Sequence, residues 1–336
     1  MKFDAMVLGT PLVDAGAAAT AAETAGYDGW FTGETAHEPL LACGAAGAAT
    51  QRIQVGTAIA VAFPRSPMHV AQAAHDLQAL TGGRFVLGLG SQVKAHVEKR
   101  FSATWSAPAA RMRDYVLALR AIWDAWETGE RLAHRGEFYR HTLMTPFFTP
   151  PPHGHGAPPV WLAAVGQKMT TVAGEVADGL LCHGFTTDRY LREVTLPALE
   201  EGAIGAGRTR SDLEVCLPVF AVTGHDAHQA RRAEAFVRQQ IAFYGSTPAY
   251  RPVLDLHGWA GLHERLHARS IRGEWEAMPA LIDDDVLDTF AVAAPPGQLG
   301  TVIRARYGTL VDRISLYTPF VPSADDVRRL AQDLAG

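Results

Sequence analysis

The chain has 336 residues, of which 48% are hydrophobic and 19% charged, with a net charge of −5. This length suits a decorated α/β barrel, and the hydrophobic content allows a large core. The negative charge argues against nucleic-acid binding through a basic surface. No uninterrupted apolar run reaches the roughly 18 residues of a membrane span, and Asp4 breaks the N-terminal run that a signal peptide would need. We therefore expect a cytoplasmic protein.

Strand and helix patterns alternate along the chain. The eight predicted strands are 3–8, 28–32, 53–63, 84–89, 159–164, 179–183, 213–222 and 311–317. The first predicted helix is capped by Asp14, and a later one follows strand seven and ends near 243. The last predicted helix begins near 323. The other predicted helices are 39–49, 67–80, 109–127, 168–177, 189–204 and 295–307. The strands are apolar on both faces, which predicts a parallel sheet closed into a (β/α)8 TIM barrel.

Two segments depart from this alternation. Residues 129–158 are rich in proline and predict a covering loop or a hairpin. Residues 245–288 are too many for a simple crossover and predict an inserted helical segment between strands seven and eight. We expect one domain spanning 1–336, and a division into two domains near Pro150 is the alternative. The three cysteines, Cys43, Cys182 and Cys216, lie far apart and predict reduced thiols.

A glycine-rich strand, TGGRFVLGLG from Thr81 to Gly90, invites comparison with a dinucleotide-binding loop. That pattern fails, because Val93 stands where a third glycine is needed and no strand with an acidic end follows. The glycines then indicate either close packing or a ligand site. In a barrel, chemistry lies at the carboxyl ends of the strands, which places Gly88 and Gly90 on the functional face.

The strand ends together resemble one family, the bacterial luciferase-like flavin and deazaflavin oxidoreductases. The motifs that carry the resemblance are GETAH at 33–37, GTAIA at 56–60, GGRF at 82–85, VGQKM at 165–169, ADG at 177–179, HGW at 257–259 and MPALIDDDVLDTF at 278–290. Within this family the chain is most similar to an actinobacterial-type branch that uses coenzyme F420.

The resemblance implies where a cofactor would bind. The family often has a cis peptide bond in strand three, behind the ring, and here it would fall at Ala58-Ile59. The resemblance further implies contacts from Ala60, from Ser91, Gln92 and Val93, and from a phosphate turn at Val165, Gly166, Gln167, Lys168 and Met169. Backbone amides at a helix start beside a lysine suit an anion. His183, at the end of strand six, is expected to line the same pocket.

Two side chains at the end of strand two are the catalytic candidates. Reduction by hydride needs a proton source, and a histidine can supply a proton near neutral pH, so His37 is the predicted donor. Packing beside the ring is its alternative role. Glu34 is expected to position other groups rather than act as an acid. His153 and His155 lack a third ligand, and no metal site is expected.

These features lead to one hypothesis and two alternatives. The hypothesis is an F420-dependent oxidoreductase that transfers a hydride between the deazaflavin and a small organic substrate. The first alternative is an FMN-dependent luciferase-like monooxygenase, and the second is a cofactor-binding barrel without turnover. A homodimer is expected because the family often dimerises. The sequence does not name the substrate.

Overall fold

A computed structural model describes all 336 residues of the chain. Eight parallel strands form its centre: β1 (Lys2–Leu8), β2 (Gly29–Gly33), β3 (Gln54–Thr57, continued by Ala60–Val61), β4 (Phe85–Gly90), β5 (Val160–Ala164), β6 (Gly179–Cys182), β7 (Glu214–Val222) and β8 (Arg313–Tyr317). Each strand pairs with the next, and β8 pairs with β1. The sheet is closed, so the predicted (β/α)8 barrel is confirmed.

Helices surround this sheet. The longer ones are Leu12–Ala25, Pro39–Ala49, Pro67–Thr81, Pro108–Thr128, Gln167–Val176, Leu196–Gly205, Pro296–Tyr307 and Ala324–Ala335, and a short helix Lys94–Lys99 follows β4. Ser66 accepts a hydrogen bond from the amide of Met68 and caps its helix, as the sequence predicts. The predicted cap at Asp14 is wrong, because the first helix already begins after Pro11 and Asp14 lies in its first turn. An acidic side chain there still favours the helix dipole.

Two predicted elements are interrupted. Strand 53–63 is wrong as one continuous strand, because the ladder stops after Thr57 and resumes at Ala60. The helix predicted over 189–204 consists of Asp188–Tyr190, a π-helical turn Leu191–Thr195 and Leu196–Gly205. Pro197 has no amide hydrogen to donate to the preceding turn, which accounts for the wider turn.

The material between β7 and β8 is helical, as predicted. It contains Ala227–Gly245, Arg251–Leu256, Ala260–Ile271 and Asp284–Phe290, the 3-10 turns Pro248–Tyr250, Trp275–Ala277 and Pro279–Leu281, and a short strand Val292–Ala293 beside β7. These elements share an apolar cluster with two phenylalanines of the barrel. Phe185 follows β6, and Phe220 lies on β7. The insertion therefore packs against the carboxyl ends of β6 and β7.

The segment 129–158 contains a hairpin, His134–Arg135 with Arg140–His141, and a 3-10 turn Pro146–Phe148. Asp114 of the helix Pro108–Thr128 accepts hydrogen bonds from the amides of Phe138 and Tyr139 and thereby holds the hairpin to the outer helices. None of the helices has both the length and the apolar character needed to cross a membrane.

The amino end of the barrel is closed by a buried ion pair. Arg313 of β8 contacts both carboxylate oxygens of Asp4 on β1, at 2.8 and 2.6 Å. Its guanidinium also lies over the rings of Phe31 and Trp161. The barrel is therefore a packed core, and only its carboxyl end offers a mouth. The three cysteines are free and buried.

Candidate functional site

The mouth of the barrel has two unlike halves. Phe31, Val86, Trp161, Leu181 and Cys216 pack together inside the barrel. Because side chains alternate along a strand, residues two or four positions further on each strand face the mouth. On β2 to β4 these residues are small, namely Gly33, Ala58 and Gly90, and on β6 to β8 they carry rings, namely His183, Phe220 and Tyr317. One half is therefore shallow, and the other half is raised and aromatic.

The shallow half depends on a close approach of β3 to β4. The hydroxyl of Thr57 donates to the carbonyl of Gly88 at 2.7 Å and accepts from its amide at 2.9 Å. A Cβ at Gly88 would lie 1.8 Å from the Thr57 carbonyl oxygen. Close packing thus accounts for this glycine. The peptide bond between Ala58 and Ile59 is cis, which confirms the prediction made for this position.

Ser91, Gln92 and Val93 follow β4 at the edge of the shallow half. Gln92 adopts a positive φ of 59°, which is unusual for a residue with a side chain. Its side-chain oxygen accepts from the amide of Val93 at 3.0 Å, and the hydroxyl of Ser91 donates to the Gln92 carbonyl at 3.2 Å. Such strained residues concentrate at functional sites. The three candidate residues thus form one locally bonded turn at the mouth.

Glu34 belongs to a buried charge network under the mouth. Its carboxylate accepts from the amide of Val61 at 2.7 Å and from Arg65 at 2.8 Å, and only 5% of the side chain is exposed. Arg65 also contacts Glu38 at 2.8 Å. Burial opposes the charge of Arg65, but the paired carboxylates hold its pKa above its ordinary value. Glu34 therefore ties the end of β2 to β3 and is fully engaged in doing so.

His37 lies in the exposed loop between β2 and its following helix. The structure gives its ring no hydrogen-bond partner, and Glu34 is paired with Arg65 instead. The loop itself is anchored on two sides. Arg100 donates to the carbonyl of Thr35, and Gly9, with φ of 64°, packs so closely that a Cβ there would meet the Thr35 hydroxyl. His37 is thus an open side chain on a fixed loop.

The turn from Val165 to Met169 starts the helix Gln167–Val176. Gly166 is the N-cap residue, so no side chain satisfies the first amides of this helix. Gly166, Gln167 and Lys168 are exposed, and nothing lies within 4 Å of where a Cβ of Gly166 would be. Free amides at a helix start, with a lysine beside them, form an anion-binding arrangement.

The aromatic half contains His183 and three tyrosines that sequence reasoning did not name. The ring of His183 lies 4.4 Å from Tyr244 and 4.7 Å from Tyr250, measured between centroids. The hydroxyls of Tyr244 and Tyr317 are 3.0 Å apart. Tyr317 ends β8, so the strand-end rule could have found it. Tyr244 lies near the end of the helix Ala227–Gly245 and Tyr250 in a 3-10 turn, and their approach to His183 depends on how the insertion packs, which no local sequence signal indicates.

The remaining candidates lie apart from the mouth or in solvent. Lys94 and Lys99 are exposed on their short helix. His153 and His155 precede β5 and therefore lie at the opposite end of the barrel, where the ring of His153 is 4.3 Å from that of His75. No group of three histidine, cysteine, aspartate or glutamate side chains has the geometry to hold a metal ion.

Comparison with known proteins agrees with this architecture. The family model for luciferase-like monooxygenases matches residues 2–313, so the chain belongs to the luciferase-like family. An uncharacterised protein of Mycobacterium tuberculosis is 50% identical over 303 residues, covering 90% of this chain and 89% of that protein. The 5,10-methylenetetrahydromethanopterin reductase of Archaeoglobus fulgidus is 27% identical, covering 74% and 71%.

Among solved structures, the coenzyme F420-dependent tetrahydromethanopterin reductase of Methanopyrus kandleri superimposes with a TM-score of 0.79. The match covers 99% of this chain and 98% of that one at 19% identity. This likeness shows a common fold. The resemblance predicted from the strand ends is thereby confirmed, and the family makes the protein an oxidoreductase with a deazaflavin or flavin cofactor.

Proposed function

We propose that this protein uses coenzyme F420 to transfer a hydride to or from a small organic substrate. The observation that carries the proposal is the pairing of a shallow floor, formed by Ala58 and Ile59 over the buried Gly33 and Gly90, with an open helix start at Gly166. A flat ring can lie on the floor while an acidic group binds the free amides and Lys168. The F420-dependent reductase with the same fold supports the choice of cofactor.

The residues present fit this cofactor. Ala58, Ile59 and Ala60 would back the ring, Ser91, Gln92 and Val93 would contact its edge, and Val165 to Met169 would hold its phosphate. When bound, the deazaflavin supplies or accepts a hydride. His37 would then hold the proton that the substrate gains or loses, while the aromatic half would orient the substrate and exclude water.

Titration of the purified protein with F420 and with FMN, followed by fluorescence, tests this proposal. We expect F420 to bind more tightly than FMN.

A second candidate, an FMN-dependent monooxygenase, is favoured by the family match to luciferase-like monooxygenases. Tight FMN binding without F420 binding would establish that candidate instead. Binding of neither cofactor would contradict the enzyme assignment.

We also propose that the protein acts in the cytoplasm as a homodimer. Leu12, Val13 and Leu41 are exposed by 49%, 89% and 61% on two neighbouring helices, which together present an apolar surface suited to a second copy. Analytical ultracentrifugation of the wild type and of Val13→Glu tests this. We expect a dimer that the glutamate weakens, and a monomeric wild type would contradict the proposal.

A further inference from the structure

The aromatic half of the mouth contains one polar group that the proposed cofactor site does not use. Leu181 points into the barrel interior, where it packs with Phe31 and Trp161. His183 is two residues further on, so its side chain faces the mouth directly above Leu181. It stands opposite the shallow floor and beside the insertion. A substrate lying between floor and insertion would meet this ring.

Two tyrosines enclose the imidazole. Tyr250 lies at 36° to the His183 ring and Tyr244 at 78°, with centroid distances of 4.7 and 4.4 Å. Burial among these rings lowers the pKa of His183 to about 4. The imidazole is therefore neutral at ordinary pH, and one of its nitrogens carries a proton while the other accepts.

A backbone hydrogen bond decides which nitrogen carries the proton. The amide of Phe185 donates to Nδ1 of His183 at 3.0 Å, so Nδ1 is the acceptor and Nε2 bears the hydrogen. Nε2 has no hydrogen-bond partner in the protein. It is also not fully buried, so a molecule in the mouth can reach it. The result is an N–H donor that is fixed in place and faces the mouth from within an aromatic enclosure.

Two of the three tyrosine hydroxyls near His183 are already used. Tyr244 and Tyr317 bond each other, and the hydroxyl of Tyr317 donates to Gln240 at 3.2 Å. Gln240 also lines a groove of about 340 Å³ with Gln239, Phe243, Trp275 and Met278. A groove of this size suits the body of a small ligand. Its lining has amides, rings and a thioether but no charged group.

Two arginines of the insertion, Arg238 and Arg272, are neutralised by carboxylates. Arg238, next to the groove, contacts Glu234 at 2.8 Å and Asp284 at 2.5 Å. Arg272 contacts Glu274 at 2.5 Å. A substrate phosphate or carboxylate would need an unpaired cation to replace its lost hydration. This part of the mouth therefore favours an uncharged substrate.

From this geometry we infer that His183 donates its Nε2–H to the oxygen of a neutral ketone or alcohol, whose apolar body lies along Tyr250 and in the Phe243–Trp275 groove. The inference rests on the proposed function and names its substrate class. His183 is a substrate-binding and specificity residue in this scheme. It keeps its proton, and proton transfer remains with His37.

Ligand binding measured by saturation-transfer NMR tests the inference without relying on turnover. The probes are acetophenone, its anionic analogue 4-acetylbenzoate, and 2-octanone. We expect a neutral ketone to bind, and 4-acetylbenzoate to bind at least about tenfold more weakly than acetophenone. His183→Phe should weaken binding of the neutral ketone about tenfold, while His183→Gln, which retains an N–H donor, should restore part of it. His225→Phe, at an exposed histidine outside this region, is the matched control and should bind like the wild type.

A second measurement uses the unaltered protein. Long-range proton–nitrogen NMR should show His183 with its proton on Nε2, and acetophenone should shift that nitrogen. The inference would be overturned by a proton on Nδ1 or by binding of neither neutral ketone. It would also be overturned if 4-acetylbenzoate bound as well as acetophenone, or if His183→Phe bound the ketone as well as the wild type. The F420 titration is independent of these outcomes, so failure of the cofactor proposal is distinguished from failure of this one.

Discussion

His37 is the one candidate proton donor at the mouth whose ring is both open and free of protein partners. Because proton transfer by a positioned side chain contributes about a hundredfold or more to rate, His37→Ala should lower kcat by about a hundredfold to a thousandfold. The loop is held through Thr35, Gly9 and Arg100, so cofactor binding should change little. Steady-state kinetics with F420 and a ketone substrate, combined with a binding titration, measure both effects.

A matched control for this variant is His96→Ala, at an exposed histidine on the short helix after β4. It removes the same side chain without touching the loop after β2, and we expect wild-type kcat. If His37→Ala kept full turnover, or if both variants lost it equally, His37 would have no part in the reaction.

Glu34 and Glu38 share Arg65 but differ in burial, which makes them a second matched pair. Each carboxylate also accepts from one backbone amide, Glu34 from Val61 and Glu38 from Leu41, but Glu34 is 5% exposed whereas Glu38 is 37% exposed. Glu34→Gln puts a neutral amide against these donors and should cost about 2 kcal/mol of unfolding free energy. Glu38→Gln should cost less than about 1 kcal/mol, because exposed pairs contribute little. Urea unfolding compares them, and equal losses would show that burial is not the deciding factor.

At the scale of elements, the glycine in β4 is explained by the neighbouring strand. Gly88→Ala would place a Cβ 1.8 Å from a backbone oxygen of Thr57, and backbone cannot move aside cheaply. We expect a loss of more than about 3 kcal/mol or failure to fold, judged by soluble yield and urea midpoint. Gly166→Ala meets open space and should unfold like the wild type. Similar stability of both variants would contradict this account of the β3–β4 contact.

Much of this element order follows from sequence because strand ends, proline and glycine leave local signals. The barrel, the insertion after β7 and the start of the helix at Gln167 were all predictable in this way. The break in β3 and the π-helical turn before Leu196 were not, since they depend on a neighbouring strand and on one missing amide hydrogen. Tyr244 and Tyr250 approach His183 only through the packing of the insertion, which no local pattern encodes.

At the scale of the whole molecule, the two halves of the mouth rest on different cores. The shallow half lies over the main core of strands and outer helices, whereas the aromatic half is backed by the separate cluster of the insertion. A change in the insertion can therefore alter the substrate wall while leaving the floor in place. Under the proposed function, this division would let substrate specificity and cofactor binding depend on separate packing units.

The buried His183 also makes global stability depend on pH. Its pKa is about 4 in the folded protein and 6.5 as a free side chain, so between these values the unfolded chain binds more protons. The contribution of His183 to the free energy of unfolding is present above pH 6.5 and is lost as the pH is lowered toward 4. At pH 5 the loss from this group is about 2 kcal/mol. Nearby Tyr250 stays neutral, because burial raises its pKa. Urea unfolding at pH 7 and pH 5 should show a drop in unfolding free energy that is smaller by about this amount in His183→Phe. His96→Phe, at an exposed histidine whose ring has no partner, should keep the wild-type drop. An unchanged drop in His183→Phe would mean that His183 is not held neutral by the fold.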